Sequence, residues 1–505
     1  MDDGKFQRRR RFLRTTAALG VGAGIGPAGL LAGVTPARAE DMKLGPDAVR
    51  LRPEIEPVVR WIEETPREKI LEVALGHLKA GLSYRDLLAG LFLAGIRNVQ
   101  PRPVGFKFHA VLVVNSAHTL GQTAPVDDRL LPLLWALDTF KNSQAQDIKE
   151  GDWTLSKVDE SKVPGPGRAK AEFAEAMDAW DVAKADAASA GLCRAAGAAE
   201  TMESFWRYAV RDQRDIGHKA IFAMQCWRTL QAIGWSHAEP VLRCLAYGML
   251  DLGGDKPGVV GPYEPNKDLA ATIRPDWIAG KPDPAATRAL LEVLRQADPE
   301  TASAEAAAML NKGVAPGSIW DAVALSGAEL LMRKPGIIPI HAVTSANALH
   351  YIYAASGDET TRKLALLQAV GWNPMYRERI NPAPTLRVDD LAEMPTEAKG
   401  DAAVPEIFAA INADRKQASA KALSYLNAGG SPDLIFATAR RMIFHKGRDS
   451  HDYKYGAAAW EEFRLAADPR WQAPLVAATM ANLPGAETPD SPLMIRAREA
   501  VAQAL

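Results

Sequence analysis

Apolar residues recur three and four positions apart along almost the whole chain, as in Leu71, Ala74, Leu75 and Leu78 and again in Leu87, Leu88 and Leu91. A 3.6-residue period puts such residues on one helical face, which is stable only when buried against another element. Comparable patterns run through residues 168–198, 200–233, 238–251, 284–297, 300–311, 317–333, 341–355, 358–371, 403–426, 431–444 and 456–467, whereas strand-type alternation is scarce. The chain is therefore expected to be all-α, a helical bundle or array. Three Pro/Gly-rich polar segments, 142–167, 252–283 and 372–402, are expected as long loops. Beyond residue 39 the reading is one large helical domain, 40–505, with 252–283 as the place where it would subdivide.

The start of the chain reads differently. Arg9-Arg10-Arg11-Phe12-Leu13-Arg14 precedes an uncharged, Gly/Ala-rich run from Thr15 to Ala37 and a small-residue Ala37-Arg38-Ala39 site. This order is that of a twin-arginine export signal over 1–39, cleaved before Glu40, which implies transit through the twin-arginine machinery to the periplasm or beyond. Such a signal implies export in the folded state, so a cofactor loaded beforehand is the first thing to look for. Gly24, Gly26 and Gly29 spell G-x-G-x-x-G, but no strand precedes them and they fall in the segment to be removed. They carry no dinucleotide fingerprint, and no other NAD or FAD motif is present.

Removing 1–39 takes away seven basic and two acidic residues, so the net charge of −1 becomes −6. A mildly acidic surface argues against nucleic acid or anionic membrane as the main partner. No later uncharged run is long enough to span a bilayer. The three cysteines, Cys193, Cys226 and Cys244, form no C-x-x-C. Cys226 and Cys244 are able to pair, but the expected role is that of small buried hydrophobes.

There is no G-x-S-x-G elbow, H-E-x-x-H, P-loop or C-x-x-C-H, which leaves the nine histidines. Several open or punctuate apolar runs: Phe108-His109-Ala-Val-Leu-Val-Val, Ile216-Gly217-His218-Lys-Ala-Ile-Phe and Ile340-His341-Ala-Val-Thr-Ser-Ala-Asn. Flanks so apolar imply burial, and a buried imidazole must pair its nitrogens with hydrogen-bond partners or a metal. His109 and His118 are nine apart, about 180° on a continuous helix, so one of them faces any shared site. His109 is favoured because it begins the buried run, with Asn115 and His118 left for second-layer or substrate contacts. His350, nine after His341, is expected to turn away. His237 in Ser236-His237-Ala238-Glu239, His77 and His445 are expected to be ordinary.

The most specific local motif is Asp449-Ser450-His451-Asp452-Tyr453-Lys454-Tyr455. Residues three apart share a helical face, so His451 and Lys454 reach the same point if a helix starts here. An ammonium has no lone pair to give a metal. Desolvation beside a cation lowers the lysine pKa, and the free amine then either ligates or reacts with carbon dioxide to give a carbamate with oxygen donors. The alternative is an ion pair of Lys454 with Asp452 or a neighbouring helix. Trp227, Trp235, Trp320, Trp372, Tyr351 and Tyr353 are expected mainly in the core. Tyr453 and Tyr455 are placed as possible hydrogen-bond donors to substrate or bound oxygen.

With these residues on the page, the chain resembles the questin oxidase-like family. The resemblance rests on His218 opening an apolar helix that is followed by the Pro240-Val241-Leu242 helix, on His341-Ala342-Val343-Thr344-Ser345-Ala346-Asn347-Ala348-Leu349 and on His451-x-x-Lys454. It covers most of residues 70–465 in order and spacing. It implies an oxygenase of aromatic molecules, with a histidine-rich non-haem iron site in some members and no metal in others. Carried over, it implies His109 or His118, His218, His341, His451 and Lys454 as ligands of Fe(II). The wide spacing of His109 and His118 and the export signal depart from the family pattern.

The leading expectation is an exported non-haem metal oxidoreductase acting on an apolar or aromatic small molecule with dioxygen. The ion is expected to be Fe(II), although imidazole suits other transition metals equally, and a redox partner is a further expectation. Two alternatives stand beside it. One is a metal-free oxygenase in which histidines act as general bases; the other is a non-enzymatic exported binding or accessory protein holding haem between its helices.

Overall fold

The structure is a computed structural model that describes residues 47–252, 261–380 and 386–504. The expected export signal, residues 1–39, lies outside the described residues. The protein is all-α: among the described residues there is no strand, and two isolated bridges, Ala48 with Ser156 and Lys281 with Val314, are the whole β content.

Helix starts follow local chemistry. Ser83, Asp181, Asp283, Asp298, Asp414, Ser431 and Asp449 each cap a helix by accepting a backbone N–H from the first turn. Their short oxygen-bearing side chains satisfy donors that no carbonyl reaches. After Asp283, Asp298 and Ser431 the first helical residue is proline, which has no N–H to lose there.

Several boundaries differ from the expected ones. Leu131–Glu150 continues through the first half of the 142–167 segment and ends only at Gly151, whose φ is 134°. Residues 142–150 are polar but contain no breaker, and Ser143 and Asp147 are buried inside the fold. Glu359–Ile380 runs past Pro374 into the 372–402 segment. The proline forfeits one backbone donor there, yet Trp372, Asn373, Pro374 and Tyr376 are all buried, so packing overrides propensity. Within 252–283 a further helix spans Tyr263–Thr272. The 200–233 pattern is two helices, Ala198–Ala209 and His218–Ile233, separated by a turn in which Ile216 and Gly217 have φ of 56° and 83°.

One hydrophobic core extends from Val49 to Ala497 and includes residues on both sides of 252–283. At its centre His218–Ile233 packs on Ile337–Ala355 and on Val114–Gln122, and Ser450–Leu465 packs on the same two helices. Elements more than 300 residues apart in sequence thus bring their N-terminal turns together. No described helix is long and apolar enough to cross a membrane.

Candidate metal centre

His218 is the first residue of its helix and follows the Asp215-Ile216-Gly217 turn. A Cβ on Gly217 would lie 2.4 Å from the Ser345 Cβ, in a backbone conformation that already favours glycine, so no side chain fits there. The turn is pinned by the Tyr376 hydroxyl, which donates to the Ile216 carbonyl at 2.8 Å. So held, the His218 Nδ1 lies 2.6 Å from the Asp215 carbonyl oxygen. Gly105, at φ 123°, backs the ring from the other side: a Cβ there would stand 3.0 Å from the His218 Cε1.

His341 lies in the first turns of Ile337–Ala355, and its Nδ1 is 2.6 Å from the Ile337 carbonyl oxygen. A carbonyl only accepts, so in both histidines Nδ1 carries the proton and Nε2 is a bare lone pair. These two Nε2 atoms face each other at 2.9 Å. Two lone pairs at that distance repel unless a proton or a cation lies between them. The proton is disfavoured. Burial, then the Lys454 charge, lowers the His218 pKa to about 3, and burial, then His218 and Lys454, pushes His341 well below its ordinary value. The separation matches what a metal requires: two nitrogens at right angles, each about 2.1 Å from an ion, stand about 3.0 Å apart.

His451 is the second residue of Ser450–Leu465. A capping box of Asp449 and Asp452 starts that helix, and Asp449 Oδ1 accepts both the His451 backbone N–H, at 2.8 Å, and its Nδ1–H. The carboxylate fixes the tautomer and leaves Nε2 free, the usual support of a metal-bound imidazole. That Nε2 is buried without a partner. His109 opens the short helix His109–Leu112 and completes the group: its ring centroid is 4.5 Å from that of His451 and 4.8 Å from that of His218. One ligand atom each from His109, His218 and His341 fit within 4.8 Å of one another, and the His341 and His451 rings are 5.0 Å apart. Burial and the Lys454 charge keep His109 well below its ordinary pKa, and burial also lowers His451.

Lys454 enters from the same helical face as His451, and its Nζ is 2.8 Å from the His109 Nδ1. It makes no ion pair with Asp452, whose carboxylate instead accepts the backbone N–H groups of Arg448 and Asp449. The ammonium is buried among imidazoles, and burial lowers its pKa to about 7.

The other expected site residues fall elsewhere. The helix carrying His109 breaks at Val113, yet His118 still turns away: its Nδ1 is 3.2 Å from the Tyr84 hydroxyl, and burial lowers its pKa to about 4. Asn115 lines a polar cleft together with Gln225, Thr344, Asn347 and Lys454, so it is joined to the site through the lysine. Tyr453 and Tyr455 do not face the histidines. Tyr453 stacks on Trp135 at 4.4 Å, and Tyr455 packs in a separate apolar cluster with Leu325 and Leu475. Adjacent helical residues point about 100° apart, so a helix that aims Lys454 inward turns both neighbours aside. His350 stacks on Trp320 at 4.2 Å and hydrogen-bonds Glu462. Cys226 and Cys244 are buried and free.

Sequence reasoning missed the supporting set: the Asp215 and Ile337 carbonyls, Gly105, and the Tyr376 contact to the His218 turn. Only Asp449 had a legible signal, as the first acid of an Asp-x-x-Asp capping box. No family model matches this chain, and no match was found among curated proteins or solved structures.

Proposed function

We propose that this protein is an exported mononuclear non-haem metal oxidoreductase, with Fe(II) as the ion and dioxygen as co-substrate. The single observation that carries the metal is the pair of bare Nε2 atoms of His218 and His341, 2.9 Å apart and already committed through Nδ1. His109, His218, His341 and His451 would hold the ion, with Lys454 as a fifth donor, either as amine or as carbamate. A redox-active ion there supplies one-electron chemistry and an open coordination position. The preference for iron and dioxygen rests on the resemblance to the questin oxidase-like family.

The chain's own residues then have defined tasks. The Asp215 and Ile337 carbonyls and the Asp449 carboxylate hold three imidazoles in one tautomer. Lys454, between the histidines and the polar cleft, holds or releases a proton at Nζ near neutral pH. The polar groups that meet a substrate on this side are amides, hydroxyls and the Arg228 guanidinium, so the reacting end of the substrate is expected to bear hydrogen-bonding groups even where its body is apolar.

A metal-free base catalyst is the second reading, favoured by the 2.8 Å contact between Lys454 and His109, which joins a buried base to a half-buried one. A haem held between His218 and His341 is disfavoured, because axial nitrogens on opposite faces of an iron stand roughly 4 Å apart for bonds of about 2.0 Å. Elemental analysis with an absorption spectrum, on protein prepared through its own export route, separates the three. Stoichiometric iron without a Soret band supports the proposal; absence of any transition metal in active protein refutes it.

A further inference from the structure

The helix that aims Lys454 at the histidines carries Tyr455 and Trp460 into a different cleft, open to solvent, whose walls include Leu120, Phe436 and Leu483. Phe436 and Trp460 meet edge to face with centroids 4.2 Å apart, so the cleft presents aromatic surface rather than a loose aliphatic gap. Small residues, Ala439 and Ala459, leave the room between the helices Pro432–Lys446 and Ser450–Leu465.

A single cation closes this apolar wall. Arg440 lines the cleft, and its Nη1 donates to the Thr123 hydroxyl at 2.9 Å, which fixes its position. Among the described residues no carboxylate lies within ion-pair distance of it. Asp128, whose charge reaches Arg440, is hydrogen-bonded to His445 at 3.2 Å. Arg440 is half-buried: burial pushes its guanidinium below the ordinary pKa, and the charge of Asp128 acts in the opposite direction. A planar carboxylate is the group a guanidinium fork matches best.

We propose that this cleft binds a small monocarboxylate with an aromatic or short apolar body, its carboxylate on Arg440 and its body against Phe436, Tyr455 and Trp460. The site is separate from the histidine centre and does not depend on the metal reading.

The test uses benzoate as the probe on the full protein as prepared, titrated by calorimetry. Saturable one-to-one binding is expected, weakened about tenfold or more in Arg440→Gln, since a charge-assisted hydrogen bond is lost. Benzyl alcohol, the same ring without the charge, should bind wild type and Arg440→Gln alike. Ala459→Phe, which fills the cleft, should abolish benzoate binding. His341→Ala should leave it unchanged, which separates this site from coordination at the metal. Absence of saturable binding, equal affinity in Arg440→Gln, or loss of binding in His341→Ala would each overturn the proposal.

Discussion

Loading the histidine centre with a metal should stabilise the fold by an amount that one substitution removes. The Nε2 atoms of His218 and His341 face each other at 2.9 Å, with both Nδ1 atoms 2.6 Å from carbonyl oxygens and so unable to rotate away without losing those bonds. A ligand that binds only the folded state adds RT ln(1 + [L]/Kd), about 4.1 kcal/mol at a free concentration 1,000 times Kd. Zn(II) is a suitable redox-inert ion, because imidazole nitrogen accepts it as readily as iron. The expected result is a rise of several degrees in the unfolding midpoint on adding Zn(II), reversed by a chelator. His341→Ala has two effects of opposite sign on the metal-free protein. It loses a hydrogen bond worth about 1 kcal/mol and leaves a small cavity, but it also relieves the lone-pair repulsion. The metal-dependent increment, by contrast, should almost vanish, because one of the two facing donors is gone. Calorimetry with and without Zn(II), together with metal content by elemental analysis, reads both quantities. An unchanged increment and full metal occupancy in His341→Ala would refute the reading of this pair as ligands.

Three further outcomes are expected. Asp449→Asn should keep the helix, because asparagine caps as well as aspartate, yet weaken metal binding about 10- to 100-fold by withdrawing the carboxylate from His451; equal metal affinity would remove Asp449 from the centre. Lys454 has its pKa lowered from 10.5 to about 7, so the unfolded chain binds the extra proton between those values and stability rises with pH across that window. Lys454→Met should therefore stabilise the metal-free protein at pH 7 or below, by up to the order of 5 kcal/mol, with the gain gone near pH 10.5, and it should lower metal retention; denaturant titrations at pH 6 and 10.5 decide. The histidines add a second window, in which stability falls as pH drops from 6.5 toward the value of about 3 for His218. Finally, Arg9→Lys with Arg10→Lys should strand the precursor inside the cell, and normal export of that variant in a host lacking the twin-arginine machinery would overturn the reading of residues 1–39.

The helical architecture was legible because its signal is periodic and long, and the apolar flanks of His218 and His341 announced burial, whereas His109, with similar flanks, is only half-buried. Their convergence is a long-range fact that no local pattern encodes, and what aims them is largely backbone. The Asp215 and Ile337 carbonyls belong to residues whose side chains carry no hint of the role. Gly105 and Gly217 act through the space they leave. Where local geometry was decisive, it misled only when a neighbour was read without its direction: Tyr453 and Tyr455 share a segment with Lys454 but not a face. Pro374 illustrates the converse, a strong local breaker overruled because the residues around it are buried.

Charge balance ties the parts of the centre together. Three of the imidazoles, His109, His218 and His451, sit within the first two residues of helices, and His341 follows in the fifth position of its own. The positive end of a helix dipole opposes a proton on an imidazole and opposes a metal dication equally. Neutral imidazoles alone therefore leave a buried dication uncompensated, which is costly. Two carboxylates at the start of the His451 helix, Asp449 and Asp452, act on that imidazole. Asp449, held down to about 2 by its hydrogen bond to His451, is ionised at every relevant pH. Lys454 adds a further negative charge only if it reacts with carbon dioxide, which exchanges a cation for an anion beside His109. A carbamate at Lys454 compensates the ion by one charge more than a neutral amine does, so metal retention that weakens when carbon dioxide is removed, and recovers when it is returned, would identify the carbamate, while retention indifferent to carbon dioxide would leave the neutral amine as the form that Lys454 takes.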